Sequence, residues 1–206
     1  MPRHAFNDPG HVHFLTFSCY HRHQFLTDDR VRAWLVDAIE LARKKHQFAL
    51  WAYVIMPDHV HLLINPTNEK YSISDILRDI KEPVSHRLVK YWRDTAPWKL
   101  ELMKARQGKR KVHRLWQAGG GFDRNLTDWD RIAKAIVYVE WNPVRRGFVG
   151  EPTEWEWSSS RSRAGLTDVP LRVDPLETTC ALPGAGEDRT CGLTPGQGSH
   201  DSPHLS

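Results

Sequence analysis

Apolar residues run almost unbroken from Trp51 to Asn65, in WAYVIMPDHVHLLIN, interrupted by Met56-Pro57-Asp58 and by two histidines. Pro57-Asp58 is turn chemistry, so the stretch predicts two strands, 47–56 and 58–65, joined by a tight turn. Alternation in a strand puts Val60, Leu62 and Ile64 on one face and His59 and His61 side by side on the other. Upstream, HVHFLTFSCY (11–20) is rich in β-branched and aromatic types and follows the breaker Pro9-Gly10, which predicts a first strand. Between these strands, Val31, Trp34, Leu35, Ala38 and Leu41 or Ala42 recur at helical spacing. Thr27 or Asp28 caps that helix, and Arg43, Lys44 and Lys45 crowd its end, where cations suit the dipole.

The same spacing returns at Ile73, Ile76, Leu77 and Ile80 and continues through His86, Leu88, Val89 and Trp92, with a bend expected at Pro83. Val112–Gln117 reads as a short fourth strand. Thr127 with Asp130 resembles a capping box and opens a third helix, whose stripe is Ile132, Ile136 and Val139 and which Pro143 is expected to end. Pro152–Trp157 carries two tryptophans expected to pack back on the domain. The order strand–helix–strand–strand–helix–strand–helix describes an α+β, ferredoxin-like antiparallel sheet with helices packed on it and one extra helix.

Composition sets the limits of this domain. From Glu177 onward the chain has no aromatic residue, no Ile or Val and no Lys. Such a segment cannot bury a core, so residues 1–176 are expected to form the domain and 177–206 a disordered tail. Three cysteines, Cys19, Cys180 and Cys191, make neither a metal spacing nor an even disulfide framework. There is no apolar signal core near the start, and no run approaches the ~20 apolar residues of a membrane span. A soluble, cytoplasmic, nucleoid-associated protein is the expectation.

The net charge of +4 is modest, but its distribution is not even. Arg78, Lys81, Arg87, Lys90 and Arg93 line the polar side of the second helix. KARQGKRKVHR follows, with Lys104, Arg106, Lys109, Arg110, Lys111 and Arg114 and no acid among them. A like-charge block beside a basic helix points to phosphate contact. Trp98, His113 and Trp116 interleave with it as faces on which unstacked bases could rest.

Histidine pairs occur three times, as His11-Val12-His13, His21-Arg22-His23 and His59-Val60-His61. Each fits an ordinary strand face as well as a metal pair. Gly119-Gly120-Gly121 matches no phosphate-binding fingerprint and reads as a connection that lets backbone approach closely. On the third helix Tyr138 and Asn142 are four apart and share a face, with Arg131 and Lys134 beside them. Tyr138 taken alone fits equally a boundary tyrosine with its hydroxyl in water.

In combination, MPDHVHLLI, LWQAGGGFDRN, YVEWNPVRRGFV and WEWSSSR resemble the REP-associated tyrosine transposases, within the HUH single-strand DNA transposases. The resemblance covers roughly residues 9–165. It implies that His59 and His61 are the metal pair, that Asn142 is the third ligand, where relatives often have glutamine, and that Tyr138 is the nucleophile. It also implies a metal-dependent enzyme that cleaves and rejoins single-stranded DNA hairpins through a 5′-phosphotyrosine, as a monomer or homodimer. Imidazole and amide ligands without a thiolate suit a magnesium or manganese ion. Lys81, Arg87, Lys104, Arg106, Lys109, Arg110, Lys111, Arg114 and Arg131 are the expected DNA contacts.

Other readings remain open at this point. A domesticated hairpin-binding protein that no longer cuts would keep the same motifs. An RRM-like RNA binder would share the topology but lacks the RNP signature, and a zinc hydrolase would lack its third His, Cys or carboxylate ligand.

Overall fold

The computed structural model describes residues 7–119 and 121–176. Four strands, β1 (Val12–Ser18), β2 (Phe48–Ile55), β3 (His59–Pro66) and β6 (Phe122–Leu126), form one antiparallel sheet in the order β2–β3–β1–β6. This is the ferredoxin-like order. α1 (Asp29–His46) connects β1 to β2, and α2 (Ile73–Thr95) lies in the connection from β3 to β6. Both helices pack on the same face of the sheet. Between α2 and β6 the chain makes a 3-10 turn, Pro97–Met103, and a two-stranded hairpin of β4 (Lys104–Gln107) and β5 (Arg110–His113).

The alternation of β3 divides the molecule as its sequence pattern requires. Val60, Leu62 and Ile64 enter the core beneath α1 and α2, with Leu15, Phe17, Ile39, Ile76 and Ile80. Leu63 points the other way, into a second cluster with Val12, Val54 and the α3 residues Ile132, Ile136 and Val139. α3 (Trp129–Glu140) therefore covers the opposite face of the sheet. A register shift between Leu50 and Ala52 turns both Trp51 and Ala52 toward α3. Such a bulge places two residues opposite one.

The caps follow the sequence in part. Asp28 caps α1 by accepting from Arg30 N. The cap of α3 is Asp128 rather than Thr127, accepting from Arg131 N at 2.9 Å. Pro143 does not simply end that helix. It sits in the first turn of a further short helix, α4 (Asn142–Arg145), where its missing N–H costs nothing. α2 runs as one helix through Pro83.

The fourth strand is the main correction. Arg110–His113 pairs with β4 alone, and the fourth strand of the main sheet is Phe122–Leu126. Its sequence, FDRNL, buries only Leu126, because it is an edge strand with a single neighbour and one face partly open. Leu115–Gln117 does run beside the end of β1, through Tyr20 N to Leu115 O and Gln117 N to Ser18 O, both 2.8 Å, but as an isolated bridge. The glycine connection makes the close approach expected of it. Gly121 has φ of +85°, and a Cβ there would meet Thr16 O at 2.3 Å.

Trp155 and Trp157 pack back on the sheet, the Trp155 indole donating to Ile55 O and the Trp157 carbonyl accepting from Ile55 N. The expected tail, 177–206, lies outside the described residues. Among those residues no helix is long and apolar enough to cross a membrane.

Candidate functional site

His59 and His61 lie on the α3 face of β3, nearly buried, with ring centroids 4.8 Å apart. Each ring is held at Nδ1. Asp58 Oδ1 lies 2.6 Å from His59 Nδ1, and Thr16 Oγ1 lies 2.7 Å from His61 Nδ1. Thr16 is the β1 residue directly opposite His61 in the ladder. A carboxylate can only accept, so His59 carries its proton on Nδ1 and keeps a lone pair on Nε2. Burial, then the neighbouring charge of His59, pushes His61 down to about 3, so it stays neutral near pH 7. Burial also lowers His59, against the pull of Asp58.

α3 brings Tyr138 to this pair. Its ring meets the His61 ring at 5.5 Å and the Phe14 ring at 5.9 Å, both edge-on, while Phe14 stacks on His61 at 5.4 Å. Tyr138 nevertheless remains 42 % exposed. Its phenol is thus placed by packing yet open to a large ligand. The Arg145 guanidinium sits over the ring, 4.9 Å from its centre. Beside it a cleft of about 330 Å³ has an apolar floor of Phe14, Leu126 and Ala135 and a cationic rim of Arg124, Arg131 and Lys134.

Asn142 is buried, and its Oδ1 has no hydrogen-bond partner. An orphaned buried acceptor is costly, so this oxygen fits a ligand that brings positive charge. Arg146, one turn farther on, is close enough for its charge to act on His59, His61 and Asp58, which sets the α3–α4 junction over the histidines. Among the described residues no three His, Cys, Asp or Glu side chains gather into a metal cluster. A metal ion here would be held by the two imidazoles and the Asn142 amide oxygen. The mixed nitrogen and oxygen donor set fits a divalent ion that accepts both kinds of ligand.

The remaining expected contacts fall in three places. Arg106, Lys109, Arg110 and Lys111 lie on the β4–β5 hairpin, whose turn is made by Gly108 at φ +60°. Lys104 begins it, paired with Glu101 at 2.6 Å, and Arg114 follows it. This hairpin leaves the sheet beside Ser18, the ladder partner of His59, so it projects from the histidine end of the sheet. Tyr20, Lys104, Arg106, Lys111 and His113 line a cleft of about 560 Å³ there. Lys81 and Arg87 lie on α2, across the sheet from the histidines. Lys81 donates to Gly119 O, and burial lowers its pKa; Arg87 pairs with Asp37 and covers Trp34. Arg131 rims the Tyr138 cleft but also pairs with Asp128 at 3.1 Å.

Two sequence expectations change. Trp116 is no stacking platform: it is buried against Phe17, and its indole N–H bonds Lys81 O. Trp98, by contrast, is 67 % exposed beside the hairpin. The other histidine pairs stay outside the site. His13 is buried between Asp123 and the Tyr71 hydroxyl, and His21 and His23 lie in the turn after β1. Phe14, Thr16, Asp58, Arg124, Arg145 and Arg146 were not singled out from sequence. Parity along β1 would have put Phe14 and Thr16 on one face, but only the β1–β3 register tells which histidine they meet.

Known proteins resemble this chain in sequence and in fold. The family described as transposase IS200 like matches residues 8–105. A Haemophilus influenzae protein provisionally named a REP-associated tyrosine transposase is 29 % identical over 140 residues, covering 64 % of this chain and 73 % of that protein. A solved REP-associated tyrosine transposase bound to a REP hairpin superposes with a TM-score of 0.63 at 20 % identity, covering 92 % of this chain and 99 % of that one. At that identity the structural likeness speaks for the fold.

Proposed function

From the premise that the chain is a relative of the REP-associated tyrosine transposases, we propose that it cleaves and rejoins hairpin-forming single-stranded DNA through a covalent link to Tyr138. The observation that carries this reading is the half-exposed Tyr138 ring held edge-on against His61, beside a cleft rimmed with cations. The hairpin bound by the solved relative supports the choice of substrate.

In this reading Arg124, Arg131 and Lys134 take the phosphates on either side of the scissile bond, where charge-assisted hydrogen bonds are short and strong. Arg145 over the phenol ring fixes its direction and brings positive charge to the attacking oxygen. Tyr138 Oη gives up its proton and bonds to phosphorus, the P–O3′ bond breaks, and the leaving oxygen takes a proton to become a free 3′-hydroxyl, so protons balance overall. The new tyrosyl phosphodiester keeps the energy of the bond it replaced. A 3′-hydroxyl can therefore attack it in turn and release the phenol, with no nucleotide cofactor.

His59, His61 and Asn142 would hold a magnesium or manganese ion. Its chemistry there is charge neutralisation and orientation of the phosphate. The basic hairpin, with His113 and the exposed Trp98, would grip the DNA outside the reacting centre.

The test is incubation with a single-stranded hairpin oligonucleotide, with manganese or with chelator. A covalent protein–DNA band that requires the ion is expected. Tight hairpin binding without such a band under any metal condition would turn the reading into that of a non-cleaving hairpin binder.

A further inference from the structure

The turn that carries the histidine pair is clamped from a second side. Residues 19–26 wrap against Pro57-Asp58 and are pinned at both ends: Cys19 N donates to Asp58 O at 2.8 Å, and Leu26 N donates to Pro57 O at 2.9 Å. Inside that short span His21 and Arg22 are consecutive non-glycine residues with φ of 50° and 59°. Left-handed backbone at one such residue is uncommon, and at two in succession it persists only where surrounding structure enforces it. The result is that Arg22 Nη1 reaches Asp58 Oδ2 at 3.2 Å, while the other oxygen of that carboxylate holds His59 Nδ1 at 2.6 Å.

We infer that Asp58 and Arg22 form a positioning relay for His59, the left-handed turn at His21-Arg22 existing to set the carboxylate that orients the ligand imidazole. One carboxylate serving two donors loses its rotational freedom. It then fixes both the tautomer and the plane of His59, so that Nε2 faces the site as a lone pair. Outer hydrogen bonds of this kind commonly govern metal affinity, and their loss typically costs about 10–100-fold. His61 receives the same service from Thr16, a residue of the sheet itself. His59, at the first position of β3, faces Ser18 in the ladder, but its ring is held by Asp58 instead. Asp58 supplies it locally, and the strained turn steadies Asp58.

The inference rests on the metal reading proposed above, and its test separates the two. The probe is Mn²⁺ added to the full 206-residue chain, followed by the paramagnetic resonance of the free ion and by melting of the metal-free protein. Asp58→Ala is expected to weaken Mn²⁺ binding by about tenfold or more. Arg22→Gly removes the guanidinium but relieves the left-handed backbone. It is expected to weaken Mn²⁺ binding while the metal-free protein melts no lower than the parent. Arg22→Lys is expected to restore part of the lost affinity. A purely structural turn predicts the opposite split: a changed melting temperature with unchanged Mn²⁺ affinity, which would overturn the relay. If the parent binds no Mn²⁺, or binds it equally with His61→Ala, the metal site falls and the relay with it.

Discussion

The two faces of one sheet follow different rules in this protein. Beneath α1 and α2 the face is dry: Leu62, Phe17, Ile76 and Ile80 are buried, and the one buried histidine, His13, is satisfied by Asp123 and Tyr71. On the other face, β3 presents two imidazoles with a nitrogen to spare to a half-exposed tyrosine on α3 and an amide oxygen with no partner on α4. A face filled by packed apolar side chains is built to be stable. A face with unspent donors and acceptors in a cationic surround is built to take a ligand. The two sets alternate along β3, residue by residue, so neighbouring substitutions should have unlike consequences.

The largest effect expected is at His61. His61→Ala or His59→Ala should abolish strand cleavage while hairpin binding, measured by fluorescence anisotropy, stays near the parent value. Cleavage that survives both substitutions and chelator would remove the distinction between the faces. Next to it, Leu62→Ala should cost about 2–5 kcal/mol of stability in denaturant unfolding, as buried Leu truncations do. The fraction that remains folded should still cut.

A smaller effect tests the histidine's neutrality. His61 is held near 3 in the folded protein against 6.5 unfolded. The unfolded chain then binds more protons between those values, so the stability of metal-free protein should fall as pH drops from 6.5, by at most about 1.4 kcal/mol per unit. His61→Leu should flatten that slope relative to the parent in urea titrations at several pH values. An identical slope would mean the imidazole is open to solvent.

On the basic hairpin, neutralising Lys109, Arg110 and Lys111 together should weaken DNA binding and shallow its dependence on log salt by roughly one per lost phosphate contact at most. Among the described residues none of the three pairs with a carboxylate. Arg87 is a DNA contact by sequence, yet it is tied to Asp37 and Trp34 on the dry side. The smallest effect is expected there. Arg87→Ala should leave the salt slope almost unchanged, and a drop equal to that of a hairpin residue would extend the DNA path around α2.

How much of this was legible in the sequence depended on whether a residue's role is set locally. The alternation of β3 alone separated His59 and His61 from Val60, Leu62 and Ile64, and the helical stripe alone put Tyr138 beside the buried face of α3. Both are period arguments, and both elements obey them. β6 was missed because FDRNL has one inward apolar residue and its pairing is supplied entirely by β1. Trp116 misled because an indole beside lysines suits a stacking platform and a core equally. Only its contact with Phe17 decides between them. Arg145 over Tyr138 and Arg22 on Asp58 depend on how separate segments dock, which no spacing reveals.

The central claim, that the α3 face performs covalent chemistry at Tyr138, is tested most directly by mapping the adduct. Protein trapped on a hairpin oligonucleotide would be digested and the DNA-bearing peptide sequenced by mass spectrometry. The account predicts a single modified residue, Tyr138, and no adduct from Tyr138→Phe, which keeps the ring that packs on His61 and loses only the nucleophilic oxygen. DNA attached to Tyr20, Tyr53, Tyr71 or Tyr91, or an adduct that persists in Tyr138→Phe, would contradict it.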